Sequence, residues 1–340
     1  MPRGFALITA MLLALPALGQ QYLMMPDSAA NRLVLLNPET GAVENDAYFT
    51  LAGGLPFHAM QVGQEIWVSE QNADRVSRWS LTGEYLGAVE GNPPQTMDNV
   101  RGMEYADGRV YVSRNANSIE VFDTNGAFVF RFSTSGQASS PFSVLEHQGA
   151  LLVGASVTTF DEVHRYTYGG VSLGTFNNGI GVRFVEQLGH DLDGHVLAAS
   201  FTDARIATLH KDTGQILSSF PAFEARGVHQ LRDGSVVWTN SAGIHRYDPG
   251  TGVDELIYAG SGRYIDLLDL TPPPPPCGPQ DFNGDGDGGT DQDIEAFFAC
   301  LGGNCCAACW RGGADFNGDG DAGTDQDIEA FFRVLGGGDC

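Results

Sequence analysis

RGMEYADGRVYVSRNANSIEVFDTNGAF, residues 101–128, decides how most of this 340-residue chain reads. Apolar and polar residues alternate through it in short runs, the period of strands with one buried face. The runs break at Gly108 and Gly126, where the chain can turn back on itself. The stretch is therefore two β-hairpins in succession. The same phrase recurs roughly every 40 residues, as a structural repeat does. Its second half returns as NRLVLLNPETGAV from Asn31, DRVSRWSLTGEYLGAV from Asp74, EVHRYTYGGVSLGTF from Glu162, ARIATLHKDTGQILSSF from Ala204 and GIHRYDPGTGVDELIY from Gly243. Its first half returns as FHAMQVGQEIWVSE, FSVLEHQGALLVGAS, VRFVEQLGHDLDGHVLAAS and ARGVHQLRDGSVVWTN.

A four-stranded antiparallel unit of about forty residues is the size of one propeller blade, and the sequence offers six. The repeats open on Gln21-Tyr22-Leu23-Met24, which matches a second strand rather than a first. The missing first strand stands at the far end, in Arg263-Tyr264-Ile265-Asp266-Leu267-Leu268. One blade is thus expected from both ends of the region, a closure that removes an open sheet edge. Six even repeats argue against a β-sandwich. With residues 101–128 as its clearest part, the region resembles the NHL-repeat and related six-bladed propellers. The expected fold over residues 20–270 is an all-β six-bladed propeller with terminal-strand closure.

The inner strands of the six units open on His58, Arg101, Ser143, Arg183, Arg226 and Arg263. The five basic residues among them would ring one mouth of the central channel. Guanidinium forks match carboxylates, so the set is a candidate site for an anionic or carbohydrate ligand, a sugar acid for example. The competing reading pairs each arginine with a nearby carboxylate or carbonyl and makes it structural. Three residues further stand Gln61, Glu104, Glu146, Glu186, His229 and Asp266. No H-E-x-x-H or phosphate loop is present, and the catalytic residues are unknown. The sequence favours a binding platform over an enzyme. The alternative is a propeller enzyme (a carbohydrate lyase, glycoside hydrolase or lactonase) in polysaccharide breakdown.

A proline run at 272–276 cannot join a sheet and favours an extended spacer, so residues 271–276 read as a linker. Beyond it, DFNGDGDGGTDQDIEAFF from Asp281 returns as DFNGDGDAGTDQDIEAFF from Asp315, with one difference in eighteen residues. Each copy starts as a calcium loop does, D-x-N-x-D-G. Asp281, Asn283 and Asp285 would turn side-chain oxygens inward, and Asp287 would offer its carbonyl. Asp315, Asn317, Asp319 and Asp321 repeat the set. The closing position of an ordinary loop holds Gln292 or Gln326, so closure is expected from Asp293 and Asp327 through a loop longer by one. Asp291 and Asp325 would then cap the helix starts. A calcium loop with only its exiting helix, given twice, resembles a dockerin, and the cysteines make it similar to the GC-type dockerin. The resemblance over 277–340 implies a small α domain that binds two Ca²⁺ and docks to a cohesin-like scaffold or surface protein.

All six cysteines, Cys277, Cys300, Cys305, Cys306, Cys309 and Cys340, lie in this tail. An even number in an exported segment reads as disulfides; the dockerin resemblance, in which the two ends lie close together, implies that Cys277 and Cys340 clasp the module. A four-cysteine zinc site is the alternative. Residues 1–19 read as a signal peptide: a basic start, an apolar run from Phe5 to Leu18 too short to span a bilayer, and small residues before Gln20. Secretion follows, with a cell surface as one destination. The tail carries 13 Asp and Glu against 2 Arg, a net of −11 within the chain's −24. Such acidity argues against nucleic acid and anionic membrane surfaces as partners, and no segment is long and apolar enough for a membrane span.

Overall fold

The computed structural model describes residues 20–89, 91, 97–157, 163–177, 181–271 and 277–338. The leader at 1–19, the prolines at 272–276 and Cys340 lie outside them. Six four-stranded antiparallel sheets follow one another as blades. The inner strands of blades two to six are Pro56–Val62, Val100–Ala106, Ser139–His147, Val185–His190 and Val228–Gln230. Blade one takes its inner strand, Asp266–Asp269, from the end of the region and its second strand, Gln21–Asp27, from the start. Tyr22 faces Leu268 and Met24 faces Asp266 across this seam. The Gln21 amide donates to Asp269 Oδ2 at 2.9 Å.

Hydrophobic burial explains why the sheets form a closed circle. Six apolar clusters lie one to each blade interface. Met24, Leu33 and Leu35 of blade one pack on Ala59, Ile66 and Val68 of blade two, and so on around to Leu231, Val237 and Ile244 against Leu23, Met25 and Val34. A blade's second strand is covered on both faces, so Glu65–Glu70 is buried from Ile66 onward. The outermost strand has one open edge, and Val253–Ala259 is largely exposed. In all six blades the last hairpin turns on a glycine with positive φ: Gly41, Gly83, Gly126, Gly170, Gly214 and Gly252, between 64° and 88°. Glycine reaches that region without steric cost, which is why the sequence punctuates each repeat there.

The small C-terminal unit is built on two helices, α1 (Asp291–Leu301) and α2 (Asp325–Leu335). Phe282, Phe297, Phe316 and Phe331, two from each copy of the repeat, are fully buried. Phe297 and Phe331 stack with ring centroids 4.1 Å apart. Disulfides join Cys300 to Cys305 and Cys306 to Cys309. The expected partner of Cys277, Cys340, is outside the described residues.

Helix capping differs from the sequence expectation. Thr290 and Thr324 are the N-caps, and the capping-box carboxylates are Asp293 and Asp327, not Asp291 and Asp325. Asp293 is buried and accepts from the backbone N–H of Asn283 at 3.2 Å and from Thr290 N–H and O–H, both at 2.9 Å. It thus ties the loop to the helix start, whereas the first helical residue points outward and stays exposed. These hydrogen bonds hold Asp293 and Asp327 below the usual carboxylate range, in spite of burial. A depressed carboxylate contributes stability that is present above its unfolded value and lost as pH falls through the folded one. Acidification below about pH 3.8 is therefore expected to release α1 and α2. Hydrogen exchange of the full chain should show this, and Asp327→Asn should abolish most of the pH dependence of α2.

Candidate functional site

Strand register fixes which inner-strand residues are equivalent. Ala59, Met103, Val144, Leu188 and Val228 each face the same position of their second strand, and Ile265 continues the set beside Asp266. Two residues earlier in each blade stand Phe57, Arg101, Phe142, Glu186, Arg226 and Arg263. The structure therefore brings together three of the five basic residues expected at one mouth and adds a glutamate. His58 and Ser143 stand one position further along, level with Gly102 rather than with Arg101. Arg183 lies before the strand, exposed, its Nε donating to Asp203 at 2.7 Å.

The three arginines differ in how many donors are spent. Arg101 is buried and nearly saturated: Nε donates to Asn99, Nη1 to Ser140 and to the Pro141 carbonyl, Nη2 to Asn115. Its plane lies 3.7 Å over Phe142. Arg263 donates from Nε to Ser28 at 3.0 Å and lies 4.8 Å over Phe57. Among the described residues Arg226 reaches only Ser261, at 3.4 Å, and its buried Nε has no hydrogen-bond partner. None of the three forms an ion pair among the described residues, unlike Arg183 or Arg246. Glu186 is 4 % exposed, and its Oε2 also lacks a partner. Burial pushes Glu186 up to about 7, against the pull of Arg263, Arg226 and Arg101. Burial, and then the like charge of Arg226, pushes Arg263 down to about 10.

Phe57, Phe142 and Tyr264 form a packed aromatic cluster with Phe184 on its flank. Tyr264 meets Phe57 edge-on at 4.8 Å and donates to the Phe142 carbonyl at 3.3 Å. Gly102 leaves the space for this: a Cβ there would stand 2.4 Å from the Phe142 carbonyl oxygen and 3.2 Å from the Tyr264 ring. The aromatic cluster fills the channel at this level. Further along the inner strands a cavity of about 260 Å³ opens, walled by His58, Glu104, His229 and Asp266 among others. His58 Nδ1 accepts from the Met103 N–H at 2.9 Å, which turns Nε2 toward Asp266, 3.3 Å away. Burial, with Asp266 and Glu146 adding to it, pushes Glu104 well above the carboxylate range, and burial pushes His229 down. Glu104 and Glu186 thus do not meet: one lines the cavity, the other sits among the arginines.

In the acidic loops, the side chains of Asp281, Asn283 and Asp285 turn back on the loop. Gly286 N–H donates to Asp281 at 3.0 Å, and Asp287 N–H to Asp285 at 2.9 Å. Asp315, Asn317, Asp319 and Asp321 repeat this, with Gly320 N–H on Asp315 at 3.1 Å and Asp321 N–H on Asp319 at 2.8 Å. Among the described residues no three His, Cys, Asp or Glu side chains gather as they would about a bound ion. Among the described residues one buried oxygen of these loops is unspent: Asp315 Oδ1 has no hydrogen-bond partner.

Neither a protein-family model nor a curated protein sequence matches the chain. Solved structures do. The chain is similar to a propeller in the nidogen/laminin complex, with a TM-score of 0.59 and 12 % identity, over 74 % of this chain and all of that one. It is similar to a Bacteroides caccae protein of unknown function, with a TM-score of 0.56 and 14 % identity, over 73 % of this chain and 98 % of that one. A third likeness is to virginiamycin B lyase from Staphylococcus aureus with quinupristin, with a TM-score of 0.52 and 15 % identity, over 72 % and 86 % of the two chains. Likenesses at this identity show the propeller fold. No helix among the described residues is long and apolar enough to cross a membrane.

Proposed function

We propose that the protein is an exported binding platform: a propeller that presents a ligand at one mouth, attached elsewhere through a C-terminal dockerin-like module that holds two Ca²⁺. The observation that carries the platform reading is the mouth itself, where arginines without ion-pair partners stand over a channel closed by aromatic side chains. Donors left unspent at a closed mouth suit binding; the His58–Asp266 pair lies apart from them, in the cavity.

The module reading rests on two matched loop–helix units about a shared phenylalanine core. Calcium takes six to eight oxygens, and the unspent Asp315 Oδ1 is the kind of atom a hard cation satisfies. Asp281, Asn283, Asp285 and the Asp287 carbonyl would hold one ion, and Asp315, Asn317, Asp319 and the Asp321 carbonyl the other. Bound calcium would stiffen both loops and fix the helices for a cohesin-like partner. The buried Asp293 and Asp327, already spent on backbone N–H groups, would act by shaping the loops, leaving outer ligation to Asp291 and Asp325.

Calorimetric titration of the full chain with calcium is expected to show two sites. Asp281→Asn and Asp315→Asn should each remove one of them. No heat of binding, or two sites surviving both substitutions, would overturn the module reading. A pull-down with calcium and with chelator then tests docking.

A further inference from the structure

The mouth carries more chemical information than its charge. Of the three arginines, Arg101 is spent on Asn99, Asn115, Ser140 and Pro141. Arg226 and Arg263 keep most of their N–H groups, stand close enough to repel each other, and have no carboxylate partner among the described residues. Like charges held together on a half-buried surface cost free energy unless an anion joins them. Glu186 is buried at the same level of the inner strands, within the field of both, with an unsatisfied Oε2. Two guanidinium forks and one carboxyl oxygen, each with unspent capacity, thus stand within reach of one another's charge.

We propose that Arg226 and Arg263 bind an organic carboxylate at this mouth, and that Glu186 makes the site a pH-gated one by donating its proton to that carboxylate. The proposal rests on the platform reading and gives its ligand a chemical class. Two parallel N–H donors on a planar guanidinium match the two oxygens of a carboxylate. A protonated Glu186 supplies a third donor, and an ionised Glu186 repels the ligand. Beside the site Phe184 is half-buried, 4.6 Å from Phe142 and 5.1 Å from Phe201, so the group bearing the carboxylate meets an aromatic wall. A ring, from a sugar acid or an aromatic acid, suits such a wall.

The gate follows from the groups that face Glu186. These are Arg101, Arg226 and Arg263, with Glu224 and Tyr264. Arg101 and Arg263, at about 10, stay charged near neutrality. Tyr264 is raised well above its ordinary value and stays neutral. Glu186, at about 7, changes charge in a range where Arg101, Arg263 and Tyr264 do not. Carboxylate binding therefore strengthens as pH falls through 7 and takes up a proton. If only the protonated site binds, affinity should be about tenfold weaker at pH 8 than at pH 6.

The test is calorimetry of the full chain with acetate, galacturonate, benzoate and inorganic phosphate at pH 6 and 8. We expect one carboxylate site, tightest for a ring-bearing acid, with the tenfold pH effect. Glu186→Gln, which keeps the shape, should bind equally at both values. Arg226→Ala and Arg263→Ala should each weaken binding at least tenfold. Arg226→Lys, which keeps the charge and loses the fork, should recover only part of the loss. Phosphate binding tighter than every carboxylate, or wild-type affinity indifferent to pH, would overturn the proposal. So would binding unaffected in Arg226→Lys and Arg226→Ala alike. If a neutral saccharide or a protein binds and these substitutions leave it unchanged, the carboxylate assignment falls and the platform reading stands. If no class of ligand binds the propeller, both fall.

Discussion

Shortening Tyr264 to alanine is expected to destabilise the propeller by about 3–5 kcal/mol, the range for removing a large buried aromatic side chain. Tyr264 is 1 % exposed and fully surrounded at the centre of the circle. It meets Phe57 at 4.8 Å and His58 at 5.4 Å, and its hydroxyl donates to the Phe142 carbonyl. Those contacts belong to blades two and four, while Tyr264 belongs to the blade that closes the circle. No single blade can relax to fill the space, so the cavity term should be near its upper end. Tyr264→Phe keeps the ring and loses one hydrogen bond, for about 0.5–1.5 kcal/mol. Urea denaturation followed by tryptophan fluorescence reads both. A Tyr264→Ala loss below about 1 kcal/mol would mean that the aromatic cluster does not support the centre of the fold.

Phe331→Ala is expected to unfold the C-terminal module outright. The side chain is fully buried, stacks on Phe297 at 4.1 Å and meets Phe316 edge-on at 5.1 Å. Its loss should cost about 3–5 kcal/mol, and a single core of this size rarely supplies more than that in total. Hydrogen exchange on the full chain should show α1 and α2 losing protection together while the inner strands keep theirs. Saturating calcium should restore part of the protection, since a ligand of the folded state adds stability by mass action. Protected helices in Phe331→Ala without calcium would show that the phenylalanine core is not what holds the module.

The propeller was legible in the sequence because its repeats alternate with a period of two and turn on glycine at the same place each time. The closing strand was legible because Gln21–Asp27 lacked a first strand and Arg263 to Leu268 had no blade of its own. The register was not. Blades two to five all carry a bulge just ahead of these positions, so the alternation breaks off where the charged residues stand. Counting from the arginines therefore aligned His58 and Ser143 with Arg101, one position out, and took Arg183 in place of Glu186. Counting back from the apolar positions Ala59, Met103, Val144, Leu188, Val228 and Ile265 recovers the arrangement, because burial fixes those residues and leaves the charged ones free to vary. In the acidic repeats the failure was of another kind. Asp291 and Asp293 are chemically identical, and only the turn of the helix decides which of them is buried as the capping partner of Thr290.

The seam between Gln21–Asp27 and Asp266–Asp269 also sets an order of events during synthesis. Gln21 meets Asp269 across 248 residues of chain, so the first strand made waits for the last before its sheet has four members. Until then blade one offers an unpaired edge and the circle stays open, a state prone to pairing with other chains. Contacts of such sequence separation are slow to form. The seam thus works as a completeness check: a chain cut short before Asp266 has at most five complete blades and no means of closing the circle.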